Sequence, residues 1–143
     1  MEVRVVKLTN QEGASAVEFA IVLPLLVVLT FGIIEFSILF YDKAIITNAS
    51  REGARAGIVF NGDYPGVSEA DIKNVVDNYL GSHLITFGTP TPATTTLDTQ
   101  CTDTGVPITI TVTYPYNFLV LPNIVTSLAG TINLTAQTVM NCE

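Results

Sequence analysis

The chain has 143 residues, which is enough for one domain with a modest core and too few for two. Hydrophobic residues make up 48% of it and charged residues only 13%, against roughly 25% charged residues in an ordinary soluble domain. The formal net charge is −7, and from Ile58 onward Lys73 is the only lysine or arginine. Because an acidic surface repels phosphate groups, we expect this part of the chain not to bind nucleic acid.

The apolar residues are concentrated in one segment, residues 19–41, which contains a single charged residue, Glu35. A helix that rises about 1.5 Å per residue over this segment is roughly 34 Å long, which is enough to cross a bilayer. The preceding residues, 1–13, form a short polar leader. An ordinary secretory signal is a poor fit, since its apolar stretch is only about 7–15 residues long. The sequence therefore predicts a membrane helix, with most of the chain following it.

A carboxylate, Glu18, lies at the start of the apolar segment. An ionised carboxylate in hydrocarbon costs about 2.5–3.5 kcal/mol on insertion scales. If the chain is cut after Gly13, Ala14 becomes the N-terminus, and its α-amino group can pair with Glu18 of a neighbouring copy. Such a pair also sets the register between copies, because a misplaced copy leaves a buried charge without its partner.

The residues around this carboxylate carry a family resemblance. Gly13 followed by Glu18 and Phe19 is similar to the prepilin peptidase motif of type IV pilins and pseudopilins. The wider segment that ends at Pro24, GASAVEFAIVLP, resembles the TadE-like pseudopilins of tight-adherence (Flp) pilus systems. Two later stretches, GIIEF and ASREGARA, also resemble that family.

The resemblance implies how such a subunit is made and used. A prepilin peptidase cuts between Gly13 and Ala14. An inner-membrane assembly platform with its ATPase then acts on the subunit, which joins other pilin subunits in a filament. The protein is then a single-pass protein of the cytoplasmic membrane before assembly. Afterwards it is part of an extracellular pilus filament or of the cell surface, where it serves adhesion or secretion. The helix residues expected to act in assembly are Glu18, Phe19, Pro24 and Glu35.

Two of these helix residues have competing interpretations. Pro24 has no N–H group, so it either acts as a hinge that lets the helix bend into a filament or is simply a tolerated membrane proline. Glu35 either makes a second contact between subunits, or lies near the outer membrane interface and reaches toward Lys43 or water.

Beyond the apolar segment, the helix is expected to continue to about Gly57. Gly53 and Gly57 share a stripe of small residues with Ser50. Small residues let another element approach closely, so this stripe packs either on the chain's own head or on a neighbour. A second face is polar and is either solvated or in contact with a partner: Asn48, Arg51, Glu52 and Arg55.

The remaining chain begins with a cluster of turn residues at 61–66. Ser68, followed by Asp71 three positions later, approximates a capping box at the start of a helix, and Gly81 marks its end. Apolar residues recur between them at helical spacing: Ile72, Val75, Val76, Tyr79 and Leu80. This pattern predicts an amphipathic helix.

Alternating apolar and polar residues predict two strands, at 108–114 and 132–137. An antiparallel pairing in which paired residue numbers sum to about 244 puts both apolar rows on one face. That register places Cys142 opposite position 102 and next to Cys101. A disulfide between them would contribute about 2–4 kcal/mol, and it indicates an oxidising compartment.

Three further segments are interpreted from composition. Residues 84–87 are a candidate third strand. Residues 86–104 are rich in threonine with two prolines, and they are expected to form a surface loop, either glycosylated or plainly flexible. The apolar residues at 118–128 pack over the sheet or the first helix, or contact another subunit if they are exposed.

No catalytic constellation is recognisable in the sequence. His83 is the single histidine, and there is no activated serine or cysteine, no phosphate-binding glycine loop and no carboxylate pair suited to acid–base chemistry. Two cysteines without further ligands do not predict a metal site. We therefore expect no cofactor and no enzymatic activity.

The predicted fold is α+β: a long N-terminal transmembrane and filament-core helix, then a small head with one amphipathic helix and a short antiparallel sheet. The predicted divisions are a cleaved leader (1–13), the long helix (14–60, membrane part 19–41) and an extracytoplasmic head (61–143). The predicted function is a pilus subunit, either a pilin or a pseudopilin. The alternative is a permanently membrane-anchored, single-span surface protein whose acidic head binds a ligand.

Overall fold

The computed structural model describes residues 11–59, 62, 66–86, 92–118 and 132–143. Its contacts divide the chain into two compact units, Met1–Ile34 and Glu35–Glu143. Five elements occur in these residues: α1 (Gln11–Gly57), α2 (Glu69–His83), β1 (Thr94–Leu97), β2 (Pro107–Tyr116) and β3 (Ile132–Asn141). The predicted α+β class is confirmed: a long apolar helix, a second helix and a small antiparallel sheet.

Helix α1 contains the apolar segment and continues into the second unit. It ends at Gly57, as predicted, and it includes Pro24 without a break in the helical assignment. Its apolar part, with a mean hydropathy of 2.6, is long and apolar enough to cross a membrane, and none of that part is buried. Leucine and alanine favour a helix, and a hydrophobic surface around the whole circumference is typical of a membrane span.

Helix α2 begins as predicted and ends later. The hydroxyl of Ser68 accepts a hydrogen bond from the Asp71 N–H (3.2 Å) and donates one to the Asp71 carboxylate (2.7 Å). The predicted end at Gly81 is wrong, because the helix continues to His83. The His83 ring stacks on Tyr79 with 4.5 Å between the ring centroids, and this contact stabilises the last turn.

The three strands form one antiparallel sheet in the order β1-β2-β3. The predicted register of β2 and β3 is wrong by four: Ile108 pairs with Met140, so paired residue numbers sum to 248. Because the shift is an even number, the two apolar rows still share a face, and Ile110 and Ala136 are both buried. The register differs because β3 extends to Asn141 and is paired with β2 over its whole length.

Strand β2 contains two prolines, and its pairing explains why they are tolerated. The Thr109 carbonyl accepts a hydrogen bond from the Asp98 N–H (3.1 Å), so odd-numbered residues of β2 direct their backbone groups towards β1. Pro107 and Pro115 are odd-numbered and lie beyond the two ends of β1, whose partners on β2 are Ile110 to Thr113. Their missing N–H groups therefore remove no bond from the ladder.

The third strand is not where the sequence indicated. Residues 84–86 form no strand, and Leu84 is the C-cap of α2, while residue 87 lies outside the described residues. Strand β1 forms at Thr94–Leu97, inside the segment predicted to be a surface loop. Threonine is β-branched and favours strands, and the side chain of Thr95 is buried. Of the apolar segment 118–128, only Phe118 is described, and its ring contacts Tyr116 edge-on.

The core of the second unit is formed by one face of α1, the apolar face of α2 and the sheet. A Cβ atom on Gly53 would lie 2.5 Å from Cγ2 of Val76, and one on Gly57 would lie 2.7 Å from Cδ1 of Ile108. A larger residue at either position would therefore force a neighbouring side chain to move, so glycine favours this close approach. Of the two predicted packings of the small-residue stripe, the structure shows the one on the chain's own head.

Candidate processing and assembly site

The predicted processing site lies on an exposed part of α1. The helix begins at Gln11, so the bond between Gly13 and Ala14 is inside its first turns. Gly13, Ala14 and Glu18 are all exposed. Ala14 and Glu18 are four residues apart and therefore lie one above the other on the same helix face. Within one chain, helix geometry therefore places Ala14, which cleavage would make the N-terminus, on the same face as Glu18.

The helix that follows exposes large apolar side chains on every face. Phe19 has 61% of its surface exposed, and the other exposed apolar residues of the first unit are Val17, Ile21, Val22, Leu23, Leu25, Leu26, Val27, Val28, Leu29, Phe31, Ile33 and Ile34. Full burial of one such side chain is worth about 1.5–3 kcal/mol. Exposed apolar side chains in this number are typical of a helix that is surrounded by lipid or by other protein chains.

Glu35 is buried in the second unit, with only 3% of its surface exposed. Its Oε1 accepts a hydrogen bond from the Tyr116 hydroxyl (2.9 Å), and that hydroxyl also lies 3.4 Å from the Glu35 carbonyl oxygen. The expectation that Glu35 reaches toward Lys43 or water is therefore wrong. Lys43 instead donates through Nζ to the carbonyl of Thr135 in β3. This face of the helix therefore packs against the sheet, which removes the Glu35 carboxylate from solvent.

Asp42 is a second buried carboxylate, two turns further along α1, and it was not recognised in the sequence. Its Oδ1 accepts a hydrogen bond from the Ile85 N–H (3.0 Å), while Oδ2 has no hydrogen-bond partner among the described residues. Burial raises the pKa of Asp42, and the Ile85 N–H opposes this increase only in part. The bond connects α1 to the segment that follows α2.

The two tyrosines of β2 surround these carboxylates. Burial raises the pKa of Tyr116, and the hydrogen bond to Glu35 and the charge of Glu35 raise it further. Burial and the charge of Asp42 raise the pKa of Tyr114. The sequence held a signal for this cluster: strand alternation puts both tyrosines on the core face, where a buried phenol hydroxyl needs an acceptor.

The predicted cysteine pair forms a disulfide. The Cα atoms of Cys101 and Cys142 are 5.7 Å apart, which is within the usual range for a disulfide. With the observed register Cys142 lies beside Val106, whose carbonyl accepts the Cys142 N–H (2.9 Å). The chain from Cys101 to Val106 turns back through Gly105, which has a φ of +83°. This turn brings the cysteines together although position 102 is not opposite Cys142.

The described residues contain no group of three histidine, cysteine, aspartate or glutamate side chains that could hold a metal ion. A groove of about 420 Å³ lies between α2 and the sheet, and its lining includes Leu80, Leu84, Ala93 and Tyr114. Asp77 is the one carboxylate among the lining residues that the structure describes. Those residues present no nucleophile with a neighbouring base.

Comparison with known proteins agrees with the resemblance read from the sequence. Residues 13–55 match the model of the family described as TadE-like protein, which covers less than a third of the chain. No significant match was found among curated proteins or among solved structures. The match starts at the predicted cleavage position and ends within the part of α1 that packs on the sheet.

Proposed function

Because residues 13–55 are TadE-like and therefore indicate a Tad pilus-associated pseudopilin, we propose that this chain is a processed pilus subunit. A prepilin peptidase cuts it between Gly13 and Ala14, and its N-terminal helix then joins an extracellular Tad or type IV-like filament used in adhesion or secretion. The observation that carries the proposal is the exposed apolar helix with Glu18 at its start, four residues after Ala14.

The position of the bond suits proteolysis. Gly13 and Ala14 have the smallest side chains and are exposed, so a peptidase at the membrane surface can reach the bond from several sides. A scissile bond must leave the helix to enter an active site. Glycine is about 1 kcal/mol less favourable than alanine inside a helix, which makes local unwinding at Gly13 easier.

Assembly uses the two groups that lie at the new end of the helix. In a filament, the Ala14 ammonium group of one copy meets the Glu18 carboxylate of the next, and both charges leave water together. A pair of this kind contributes little net stability, but a copy in the wrong register leaves one charge buried without compensation, at a cost of about 3–5 kcal/mol. The apolar side chains from Val17 to Ile34 then pack against neighbouring helices.

The second unit follows the span and faces the outside. Its disulfide suits an oxidising compartment. Before assembly the protein is a single-pass protein of the cytoplasmic membrane, where the inner-membrane platform and its ATPase act on it. Its partners are the peptidase, the platform and other pilin subunits, and it acts as a structural component.

The experiment is to co-express the full chain with a prepilin peptidase and to measure the intact mass and the N-terminal sequence. We expect a product that begins at Ala14. The variant Gly13→Val should retain residues 1–13, whereas the matched control Gly32→Val, within the same helix, should be processed normally. Retention of residues 1–13 on surface-exposed protein that shearing does not release would contradict the proposal and would favour a permanently anchored protein.

Assembly is tested separately with Glu18→Ala. We expect cleavage to continue and the yield of sheared filaments to fall sharply. The control is Glu52→Ala, which removes an exposed acid from the same helix at a position on the polar face. Equal filament yields from the two variants would show that Glu18 has no special part in assembly.

A further inference from the structure

The second unit presents a patch of exposed aromatic side chains on α1, immediately after the apolar span. Phe36 is 61% exposed, Phe40 is 67% exposed and Tyr41 is 44% exposed, and we call these three residues the aromatic patch. Phe36 and Phe40 are four residues apart and share a helix face, with Tyr41 beside them. Side chains of this size are normally buried, so an exposed group of three marks a surface that meets another phase or molecule.

The face that carries the aromatic patch changes in chemistry along the helix. Its exposed residues continue with Ala44 and Asn48 and end with charged residues from Arg51 onward. At about 1.5 Å per residue, Asn48 is roughly 12 Å beyond Phe40 and Arg51 is roughly 16 Å beyond it. The order is apolar, then aromatic, then small and polar, then charged, which is the order of environments from hydrocarbon through headgroups to water.

The acids of this helix segment are absent from that face. Glu35 and Asp42 are buried against the rest of the second unit, where they accept hydrogen bonds from Tyr116 and from the Ile85 N–H. The helix surface from Phe36 to Asn48 therefore exposes no carboxylate, although the whole chain carries a net charge of −7. An exposed acid at this level would be repelled by lipid phosphates, and its absence makes the face compatible with a phospholipid surface.

The lengths also agree with such a surface. The segment from Val17 to Ile34, whose large apolar side chains are exposed and which includes the acid Glu18, is roughly 27 Å long as a helix, which approaches the thickness of about 30 Å of a hydrocarbon core. The aromatic patch adds roughly 8 Å along the helix, close to the width of one headgroup region. A hydrocarbon span over these residues would end near Glu35, whereas the sequence alone predicts an end at Tyr41.

We infer that, before assembly, the second unit is seated on the outer surface of the bilayer through the aromatic patch, with Phe36, Phe40 and Tyr41 among the phospholipid headgroups. This inference rests on the membrane stage of the proposed function. The head is thereby held against the lipid surface, and extraction into a filament requires the patch to leave the lipid.

The chain has no tryptophan, so single tryptophan substitutions report one position each. The full chain is reconstituted in phosphatidylcholine vesicles, with bromine atoms placed either near the ester groups or near the middle of the bilayer. Three variants are compared: Leu29→Trp in the apolar span, Phe40→Trp in the aromatic patch and Asn48→Trp further along the same face. All three positions are exposed, and unchanged far-UV circular dichroism confirms that each variant is folded.

We expect the tryptophan fluorescence of Leu29→Trp to be quenched most by bromine near the middle of the bilayer. The fluorescence of Phe40→Trp should be quenched most by bromine near the ester groups. Asn48→Trp should lose none of its fluorescence and should remain accessible to a water-soluble quencher. Loss of emission at Leu29→Trp without any at Phe40→Trp would overturn the inference while leaving the membrane span in place. No loss at Leu29→Trp would overturn membrane insertion itself, and with it the proposed function.

Two other outcomes would also overturn the inference. Equal loss at Asn48→Trp and Phe40→Trp would place the bilayer surface well beyond the aromatic patch. If Phe40→Trp is unaffected by brominated lipid but becomes inaccessible to the water-soluble quencher as the protein-to-lipid ratio rises, the patch contacts a second copy and not lipid. The variant Phe36→Trp, one turn closer to the span, provides an independent reading and should be quenched at a depth between those of Leu29→Trp and Phe40→Trp.

Discussion

The hydrogen bond between Tyr116 and Glu35 should contribute strongly to the stability of the second unit. The variant Tyr116→Phe removes the hydroxyl and keeps the ring, so it isolates the bond of 2.9 Å to Glu35 Oε1. A hydrogen bond to a charged group contributes about 1.5–3 kcal/mol, and Glu35 is only 3% exposed, so water replaces the lost donor poorly. We therefore expect the free energy of unfolding to fall by about 2 kcal/mol.

The assay is urea unfolding of the full chain in detergent micelles, followed by near-UV circular dichroism. The matched control is Tyr41→Phe, which removes a hydroxyl from an exposed ring and should change the free energy by less than about 0.5 kcal/mol. A double-mutant cycle with Glu35→Gln separates the hydrogen bond from ring packing. In the Glu35→Gln background the bond is neutral, so Tyr116→Phe should cost only about 1 kcal/mol.

Two results would refute this reasoning. An equal cost of Tyr116→Phe in both backgrounds would mean that the hydroxyl does not interact with the glutamate charge. A cost below about 0.5 kcal/mol would mean that the bond adds nothing to stability. Either result would reopen the possibility that Glu35 acts between subunits, because a buried intramolecular role would no longer explain its position at the end of the span.

Two further predictions concern the interior of the second unit. Gly53→Ala places a Cβ atom 2.5 Å from Val76, so urea unfolding should show a loss of about 1–3 kcal/mol in the free energy of unfolding. The control Gly81→Ala has open space around it, so it should be neutral or stabilise the protein by up to about 1 kcal/mol. Burial raises the pKa of Asp42, so the folded state keeps the Asp42 proton up to a higher pH than the unfolded state does. The free energy of unfolding should therefore fall as pH rises from 3.8 through the raised pKa. Asp42→Asn should remove this fall in the free energy of unfolding with pH. An unchanged pH profile in the variant would contradict the role given to Asp42.

Helix α1 serves two environments at once, and this explains the distribution of its residues. One face from Glu35 onward packs on the sheet, where Gly53 and Gly57 allow close approach and the hydroxyl of Ser50 meets that of Thr138 (2.7 Å). The opposite face retains exposed aromatic residues such as Phe40. The same helix therefore positions the head and, in the proposed function, inserts in the membrane and later packs in a filament.

Much of the local structure could be predicted because its causes are local. The apolar segment from residue 19 onward indicates a membrane helix through length and composition alone. Ser68 and Asp71 are three residues apart, so the cap of α2 depends only on neighbouring atoms. The alternation in β2 and β3 correctly predicts which residues face the core, because side chains in any strand alternate between faces.

The tertiary structure decided what depends on distant parts of the chain. Strand alternation repeats every two residues, so the pattern is equally satisfied by registers that differ by two or four, and only the pairing of whole strands selects one. The sequence by itself determined that α1 is apolar and that Glu35 interrupts its apolar segment. Only the packing of Tyr116, 81 residues away along the chain, decided that this carboxylate is buried in the head and not exposed to lipid or water. Tertiary packing determines which acceptor a buried phenol hydroxyl finds, and the local sequence does not predict it.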